Sequence, residues 1–210
     1  MADVCCVPAD ELMAAALAQQ PPAAAALPPP PAPPLPADAV AIRLGVLTVS
    51  DRASGGAYAD LSGPEISRCM YEFASGAMGA GWRLGASRSA VVADEAAQID
   101  EQLRAWSDER DGGAGPTPCN LILTTGGTGL SPRDVTPEVT AALLDRPTPG
   151  IPELLLREAI KHEPLAALSR AAAGVRGRTL IVNLPGRPKA VRENLAVLMP
   201  LLGHALLQLA

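Results

Sequence analysis

Apolar residues beyond position 41 fall into short runs that alternate with stretches of helical periodicity. Three runs predict strands: residues 42–49 (IRLGVLTV), 120–125 (NLILTT) and 179–184 (TLIVNL). Aliphatic and β-branched residues without polar alternation are typical of strands that are covered on both faces. Residues 82–92 (WRLGASRSAVV) are a fourth strand candidate, which follows Gly81.

Helical patterns separate and follow these strands. They predict helices at residues 63–77, 94–106, 137–145, 151–162, 164–173 and 189–209. Strands that alternate with helices at this spacing predict an α/β fold, in which a doubly wound, mostly parallel sheet carries helices on both faces in three layers. In such folds, ligands bind beyond the carboxyl ends of the strands.

The first 40 residues have a different composition. Residues 20–38 contain nine of the 22 prolines, and so dense a run forms neither a helix nor a strand ladder. We therefore expect a disordered Ala/Pro-rich tail at 1–40 and one folded domain at 41–210. The tail is interpreted as a linker, with PPPPAPPLP as an alternative docking segment for an SH3-like groove.

The composition of the chain disfavours several classes of binding partner. The 210 residues carry a net charge of −5 and only 2% aromatic residues, which disfavours both a basic nucleic-acid binder and a base-stacking platform. The sequence predicts neither a membrane-spanning stretch nor a secretory signal, so we expect no membrane contact and a cytoplasmic location. The four cysteines lack CxxC spacing and are expected to be free thiols.

The segment TTGGTG is the strongest local signal for a ligand. Two threonines and three glycines directly after a buried strand allow backbone amides to approach an anion closely. The segment lacks the GK[ST] of a Walker A loop and is not GxGxxG. The candidate binding residues of this motif are Thr124, Thr125, Gly126, Gly127, Thr128 and Gly129, and Arg133 and Asp134 follow in the same loop.

Three further polar corners follow predicted strands. They comprise Ser50, Asp51 and Arg52; Asp94 and Glu95; and Asn183, Pro185 and Gly186 with Lys189 at the next helix start. Because parallel strands end at the same edge of a sheet, these corners are expected to meet there. Free amides at a helix start bind anions. Asp94 and Asp134 are candidate Mg²⁺ ligands, although each Asp could instead cap a helix.

Hydrolase chemistry is disfavoured by the same pattern. The two histidines, His162 and His204, lie in helix-like stretches away from the predicted edge, and no GxSxG segment occurs. Cysteine nucleophile chemistry is disfavoured on the same ground, since Cys119 precedes a strand and is expected in the core.

Three segments taken in order carry a family resemblance. LTVSDRASGGAYAD, LILTTGGTGLSPRDVTPEVT and the run from PGIPELLL to NLPGRPKAV resemble the molybdopterin adenylyltransferases, which include bacterial MogA, the related MoaB proteins and the G domains of gephyrin and of its plant counterpart. The similarity extends over about residues 42–209.

The resemblance implies an activity and a set of roles. Such enzymes adenylylate molybdopterin with ATP and Mg²⁺ and release pyrophosphate, in molybdenum cofactor biosynthesis. The family's two functional aspartates match Asp94 and Asp134, and its SDR turn and TTGGTG loop line the nucleotide and pterin sites. Several relatives have Pro-Asp-Glu where this chain has Ala93-Asp94-Glu95.

The resemblance also implies partners. We expect a homotrimer and a separate E-type or MoeA-like protein that inserts molybdenum, since this chain has no room for that second domain. Two alternatives stay open: a non-catalytic G-type module that binds molybdopterin or acts as a scaffold, and a CinA-type enzyme that processes pyridine nucleotides. Asp94 and Asp134 speak against the scaffold, and SDRASGGAYAD fits the adenylyltransferases better.

Overall fold

A six-stranded sheet is the centre of the computed structural model, which describes residues 41–75, 82–108 and 117–210. The strand order is β2-β1-β3-β6-β5-β4. The strands are β1 (Ala41–Val49), β2 (Arg83–Val92), β3 (Leu121–Thr125), β4 (Arg146–Pro147), β5 (Ala173–Arg176) and β6 (Thr179–Leu184). The tail predicted at 1–40 lies outside the described residues.

The four predicted strands form the parallel part of this sheet. β1 lies between β2 and β3, and β6 pairs with β3, all in parallel. β3 and β6 are buried along their whole length, as their uninterrupted apolar sequences predicted. The predicted mostly parallel α/β sheet is therefore confirmed.

β4 and β5 extend the sheet in antiparallel fashion and were not predicted. The helix predicted at 164–173 is instead a 3₁₀ turn at Pro164–Leu168 followed by an extended segment. The alanines at 171–173 favour a helix locally, but hydrogen bonds with β6 hold this segment extended. Gly177, with a φ of 54°, makes the tight turn between β5 and β6.

Helices cover both faces of the sheet. They are α1 (Asp51–Ser54), α2 (Ser62–Ser75), α3 (Ala96–Ser107), α4 (Thr136–Leu143), α5 (Gly150–Ala159) and α6 (Pro188–Leu209). One apolar core contains Ile66 and Met70 of α2 with Leu198 of α6, and the other contains Leu103 of α3 and Leu143 of α4. The two cores give the predicted three layers. The prediction for residues 76–77 of α2 lies outside the described residues.

Among the described residues, one helix, α6, is long and apolar enough to span a membrane. Its mean hydropathy is 1.2. Its apolar stripe packs into the core through Val191, Leu195, Leu198 and Leu202. This is the packing of a core helix, and length and composition alone are weak grounds for a membrane role.

The parallel strands end in register. Val49 pairs with Val92, Thr48 pairs with Thr125, and Thr125 pairs with Leu184. The segments that follow these four strands therefore begin at the same level and meet along one edge of the sheet. This register brings the polar corners of the sequence together.

Candidate active site

A cleft of about 480 Å³ opens at the carboxyl edge of the parallel strands. Segments that follow β1, β2, β3 and β6 all contribute to its wall. Of the residues predicted for a site, those that line the cleft are Ser50, Asp51, Arg52, Asp94, Thr125, Gly126, Gly127, Arg133, Asp134 and Gly186. Residues of all four corners line this cleft, the fourth corner through Gly186 alone.

The glycine turn after β3 forms the floor of this cleft. Gly126 and Gly127 have φ values of 95° and 61°, a region that side chains disfavour. A Cβ atom would lie 2.2 Å from the Val49 carbonyl oxygen at Gly126, and 2.3 Å from the Thr136 hydroxyl oxygen at Gly127. Only glycine fits this turn.

Backbone amides of the same turn are available for a ligand. Within the described part of the chain, the N–H groups of Gly127, Thr128 and Gly129 have no hydrogen-bond acceptor. Successive free amides in a turn with left-handed residues form a concave site for an anion. The turn thus offers the chemistry predicted from TTGGTG.

Asp94 is fixed by a reciprocal contact with Asp51. The Asp51 N–H donates to Asp94 Oδ2 at 2.7 Å, and the Asp94 N–H donates to Asp51 Oδ1 at 3.0 Å. Burial raises the pKa of Asp94 above its ordinary value, and the nearby carboxylates of Asp51 and Asp134 raise it further. Asp94 is therefore a partly buried acid beside two other acids.

Arg133 closes one side of the cleft. Its guanidinium donates to Asp51 at 2.9 and 3.1 Å and to Glu95 at 2.7 Å. These bonds with Arg133 lower the pKa of Asp51. The Arg133 side chain is half exposed, at 52%, so its ion pairs contribute little to stability and can exchange for other anions.

Asp134 forms a turn with Ser131. Its carboxylate accepts the Ser131 N–H at 2.9 Å, and its N–H donates to the Ser131 carbonyl. Neither Asp134 nor Asp94 caps a helix, because the cap positions of α4 and α3 are Val135 and Glu95. The simple capping explanation for both acids is thereby wrong.

A second cavity, of about 510 Å³, adjoins the cleft and shares Gly186 with it. Its wall is largely apolar, with Leu155 and Leu156 of α5 and with Leu165 and Leu168. The predicted site residues Thr128, Gly129, Asn183 and Pro185 line this second cavity and not the cleft. The predicted residues are thus divided between two neighbouring spaces.

Two predicted residues line neither space. Thr124 is fully buried, and its hydroxyl accepts a hydrogen bond from the Asn183 side chain at 2.9 Å. The Lys189 side chain is 81% exposed, and its Nζ lies 3.8 Å from Glu193. Asn183 itself is also committed internally, since it bonds Thr124, Thr140 and the Ala172 amide.

The sequence analysis missed residues that shape both spaces. Asp60 lines the cleft, receives the N–H groups of Ser62 and Gly63 and accepts the Thr48 hydroxyl at 2.8 Å. An acid two positions before Ser-Gly-Pro was the available signal, since Asp is favoured at a helix start. Arg170 lines the second cavity and was not indicated by any motif.

The fold and this cleft define an α/β protein with a polar cleft at the carboxyl edge of a parallel sheet. Residues 45–204 match the family model described as "Probable molybdopterin binding domain". The chain belongs to this family, and the predicted resemblance is confirmed.

Similar proteins have related names. The molybdopterin adenylyltransferase of Helicobacter pylori strain J99 is 40% identical over 159 residues, which are 76% of this chain and 82% of that protein. The gephyrin of Dictyostelium discoideum is 43% identical over 164 residues, which are 78% of this chain and 22% of gephyrin.

Solved structures share the fold. The molybdopterin biosynthesis enzyme MoaB of Thermus thermophilus is 45% identical with a TM-score of 0.66, over 80% of this chain and 96% of that one. The molybdopterin biosynthesis Mog protein of Mycobacterium ulcerans is 37% identical with a TM-score of 0.67, over 81% of this chain and all of that one.

Proposed function

We propose that this protein transfers the adenylyl group of ATP to molybdopterin and releases pyrophosphate, a step of molybdenum cofactor biosynthesis. One observation carries the proposal: an anion-binding cleft with two separated aspartates adjoins a second, largely apolar cavity through Gly186. Relatives named molybdopterin adenylyltransferase, at 38% to 40% identity, support it.

The cleft is the proposed seat of the ATP phosphates. The free amide of Gly127 supplies a neutral donor, and Arg133 and Arg52 supply positive charge. Arg133 is held by acids in the present arrangement, and phosphate oxygens are bidentate acceptors of comparable strength. Nucleotide binding therefore exchanges one set of oxygen partners of Arg133 for another.

The second cavity is the proposed seat of the pterin. Its volume of about 510 Å³ suits a small organic molecule, and its apolar wall offers a surface for a flat ring system. Gly186 has no side chain, and its Cβ position lies 3.4 Å from Gly126 Cα. The pterin phosphate can therefore approach the glycine turn without a side chain between the two spaces.

The transfer needs alignment more than proton removal. A phosphate oxygen of molybdopterin forms a bond to the α-phosphorus of ATP, while the bond from that phosphorus to pyrophosphate breaks. A phosphate monoester is largely ionised near neutral pH, so no general base is required. Both histidines are exposed and line neither space, which agrees with this scheme. The protein's task is to hold two mutually repelling anions in line.

Mg²⁺ is part of this proposal. Asp94 and Asp134 would hold the ion, because both carboxylates line the cleft and neither forms an ion pair within the described residues. The same residues contain no cluster of three His, Cys, Asp or Glu side chains, but Mg²⁺ needs only one or two carboxylates together with phosphate oxygens and water. When bound, the ion neutralises phosphate charge.

Partners and assembly also belong to the proposal. The adenylylated product requires a later metal insertion, so a separate MoeA-like insertase is the expected consumer. A homotrimer is proposed as well, and exposed apolar side chains that line neither space, Leu130, Ile160 and Leu201, offer surface for contacts between copies. Lys189, which lies next to Ala190 of the second cavity wall, remains a candidate contact for the pterin phosphate.

The test incubates the protein with molybdopterin, ATP and Mg²⁺. We expect adenylylated molybdopterin by mass spectrometry and an equal amount of pyrophosphate. An Asp94→Asn variant, which removes a charge of the cleft but keeps the bond to the Asp51 N–H, serves as a matched negative control. Tight molybdopterin binding without product would instead favour the non-catalytic module.

A further inference from the structure

Arg170 joins the wall of the second cavity to the loop that carries Asp134. Its Nε donates to the Gly129 carbonyl at 2.7 Å, and its Nη2 donates to the Asp134 carbonyl at 2.5 Å. Its own backbone N–H donates to the Thr128 carbonyl at 3.0 Å. One residue thus binds carbonyl groups at both ends of the segment 129–134.

The remaining arm of the guanidinium is also engaged. Arg170 Nη1 forms an ion pair with Glu138 of α4, which fixes the plane of the fork. A planar guanidinium with donors on three nitrogens can reach three acceptors in different directions, whereas the single ammonium of lysine cannot match this geometry. The contact is therefore specific for arginine.

The segment that Arg170 holds contains the polar groups of the cleft. Arg133 and Asp134 lie on it, and the Asp134 carboxylate is locally tied only to the Ser131 N–H. Arg170 binds the carbonyl oxygen of Asp134. A residue in the wall of the second cavity therefore fixes the position of the Asp134 Cα atom. A shift of about 1 Å in such a group costs up to about 100-fold in rate.

We propose that Arg170 is a positioning residue, which sets the orientation of Asp134 and Arg133 through backbone carbonyls and fixes their distance from the second cavity. It acts through the loop and not on the reacting atoms. This inference rests on the proposed adenylyl transfer. One side chain in the wall of the second cavity would then fix the position of the cleft loop relative to that cavity.

The test compares Arg170→Ala and Arg170→Lys with the control Arg157→Ala, which removes an exposed arginine paired with Glu153 on α5. For Arg170→Ala we expect kcat to fall about 10- to 100-fold with the KM for ATP changed less than about threefold. Added guanidinium ion should restore part of kcat, while ammonium at equal ionic strength should not. Arg170→Lys should resemble Arg170→Ala.

Two results would overturn the role. An unchanged kcat with a raised KM for molybdopterin would make Arg170 a direct binding contact. If guanidinium does not restore kcat and the melting temperature of the variant is also lowered, the effect is a general loss of stability. If Arg170→Ala does not fold, the same comparison is made with Arg170→Lys.

Amide hydrogen exchange separates this inference from the proposed function. In the ligand-free protein, Arg170→Ala should speed exchange at the hydrogen-bonded amides of Ser131, Arg133 and Asp134. It should leave α3 and α6 as they are in Arg157→Ala. This measurement needs no turnover, so it tests the loop contact even if the wild-type protein makes no adenylylated product. Unaltered exchange in this segment would contradict the positioning role.

Discussion

Asp51 and Asp94 each donate a backbone N–H to the carboxylate of the other, at 2.7 and 3.0 Å. The pair joins the segment after β1 to the segment after β2. Because these bonds use backbone donors, they orient both carboxylates without neutralising them. Asp94 forms no ion pair within the described residues, and its charge leads to the first prediction.

Asp94→Asn should abolish most Mg²⁺-dependent turnover while leaving the fold intact. The amide still accepts the Asp51 N–H but carries no charge for the cation. We expect kcat to fall at least about 100-fold, in the range found when an electrostatic group of an active site is lost. Steady-state kinetics with a Mg²⁺ titration measures this. Asp100→Asn, which removes an exposed acid paired with Arg104 on α3, is the control and should keep full activity.

Asp134→Ala should bind molybdopterin normally but fail to release pyrophosphate. The substitution leaves the backbone carbonyl that Arg170 holds and removes only the carboxylate. Molybdopterin binding by fluorescence and pyrophosphate release in a coupled assay measure the two effects separately. Unchanged turnover would remove Asp134 from the mechanism. Glu158→Ala, which removes an acid of α5 that pairs with Lys161 and lines neither space, is the matched control.

Gly127→Ala should destabilise the protein by about 2 kcal/mol or more, because the residue has a φ of 61° and its Cβ would lie 2.3 Å from the Thr136 hydroxyl. Gly150→Ala is the control, since no atom lies within 4 Å of its Cβ position. That variant should stay within about 0.5 kcal/mol of the wild type. Urea unfolding compares the two, and equal stabilities would contradict the prediction.

Glu65→Gln should alter stability in a pH-dependent way. Hydrogen bonds from Arg68 and then Arg192 lower the pKa of Glu65 from 4.5 to about 2. A lowered pKa in the folded state means that this stabilisation is complete above about pH 4.5 and is lost as the pH falls towards 2. The difference in melting temperature between wild type and variant should be largest at neutral pH and shrink in acid.

Glu72→Gln provides the comparison for Glu65. Glu72 is exposed and, within the described residues, pairs only with Arg68, while Glu65 links α2 to Arg192 of α6. A pH-independent effect of Glu65→Gln, or an equal effect of both substitutions, would show that the Arg192 contact contributes nothing measurable.

Deletion of residues 1–38 should leave adenylyl transfer unchanged. The residues that line the cleft and the second cavity begin at Thr48, so no catalytic or binding group that we propose is removed. The kcat and both KM values of the shortened protein measure this directly. A large loss of activity would assign the tail a role in catalysis or assembly.

The sequence predicted those features that depend on local pattern. Buried strands β3 and β6 are visible as apolar runs, and the glycine turn and both aspartates follow from their positions after strands. β4 has two residues, and β5 gains its conformation from hydrogen bonds with a distant segment, so neither has a local signal. Arg170 binds carbonyl groups, which no pattern of side chains reveals.

The division of the site into two spaces was equally hidden from the sequence. Thr125 and Gly127 face the cleft, while Thr128 and Gly129 face the second cavity, because the backbone reverses at two left-handed glycines. Consecutive residues of the TTGGTG motif therefore line different spaces. The backbone dihedral angles of the turn determine which of the two spaces each residue lines.

β2 forms one border of the sheet, and no other described strand pairs with its outer side over a length of 10 residues. Such a border can recruit a strand from another molecule and start aggregation. Arg83 and Arg88 place repeated positive charge along it, and Arg88 also donates to the Thr117 carbonyl. Pairing of two such borders would bring these arginines close together, which disfavours association of two copies through β2.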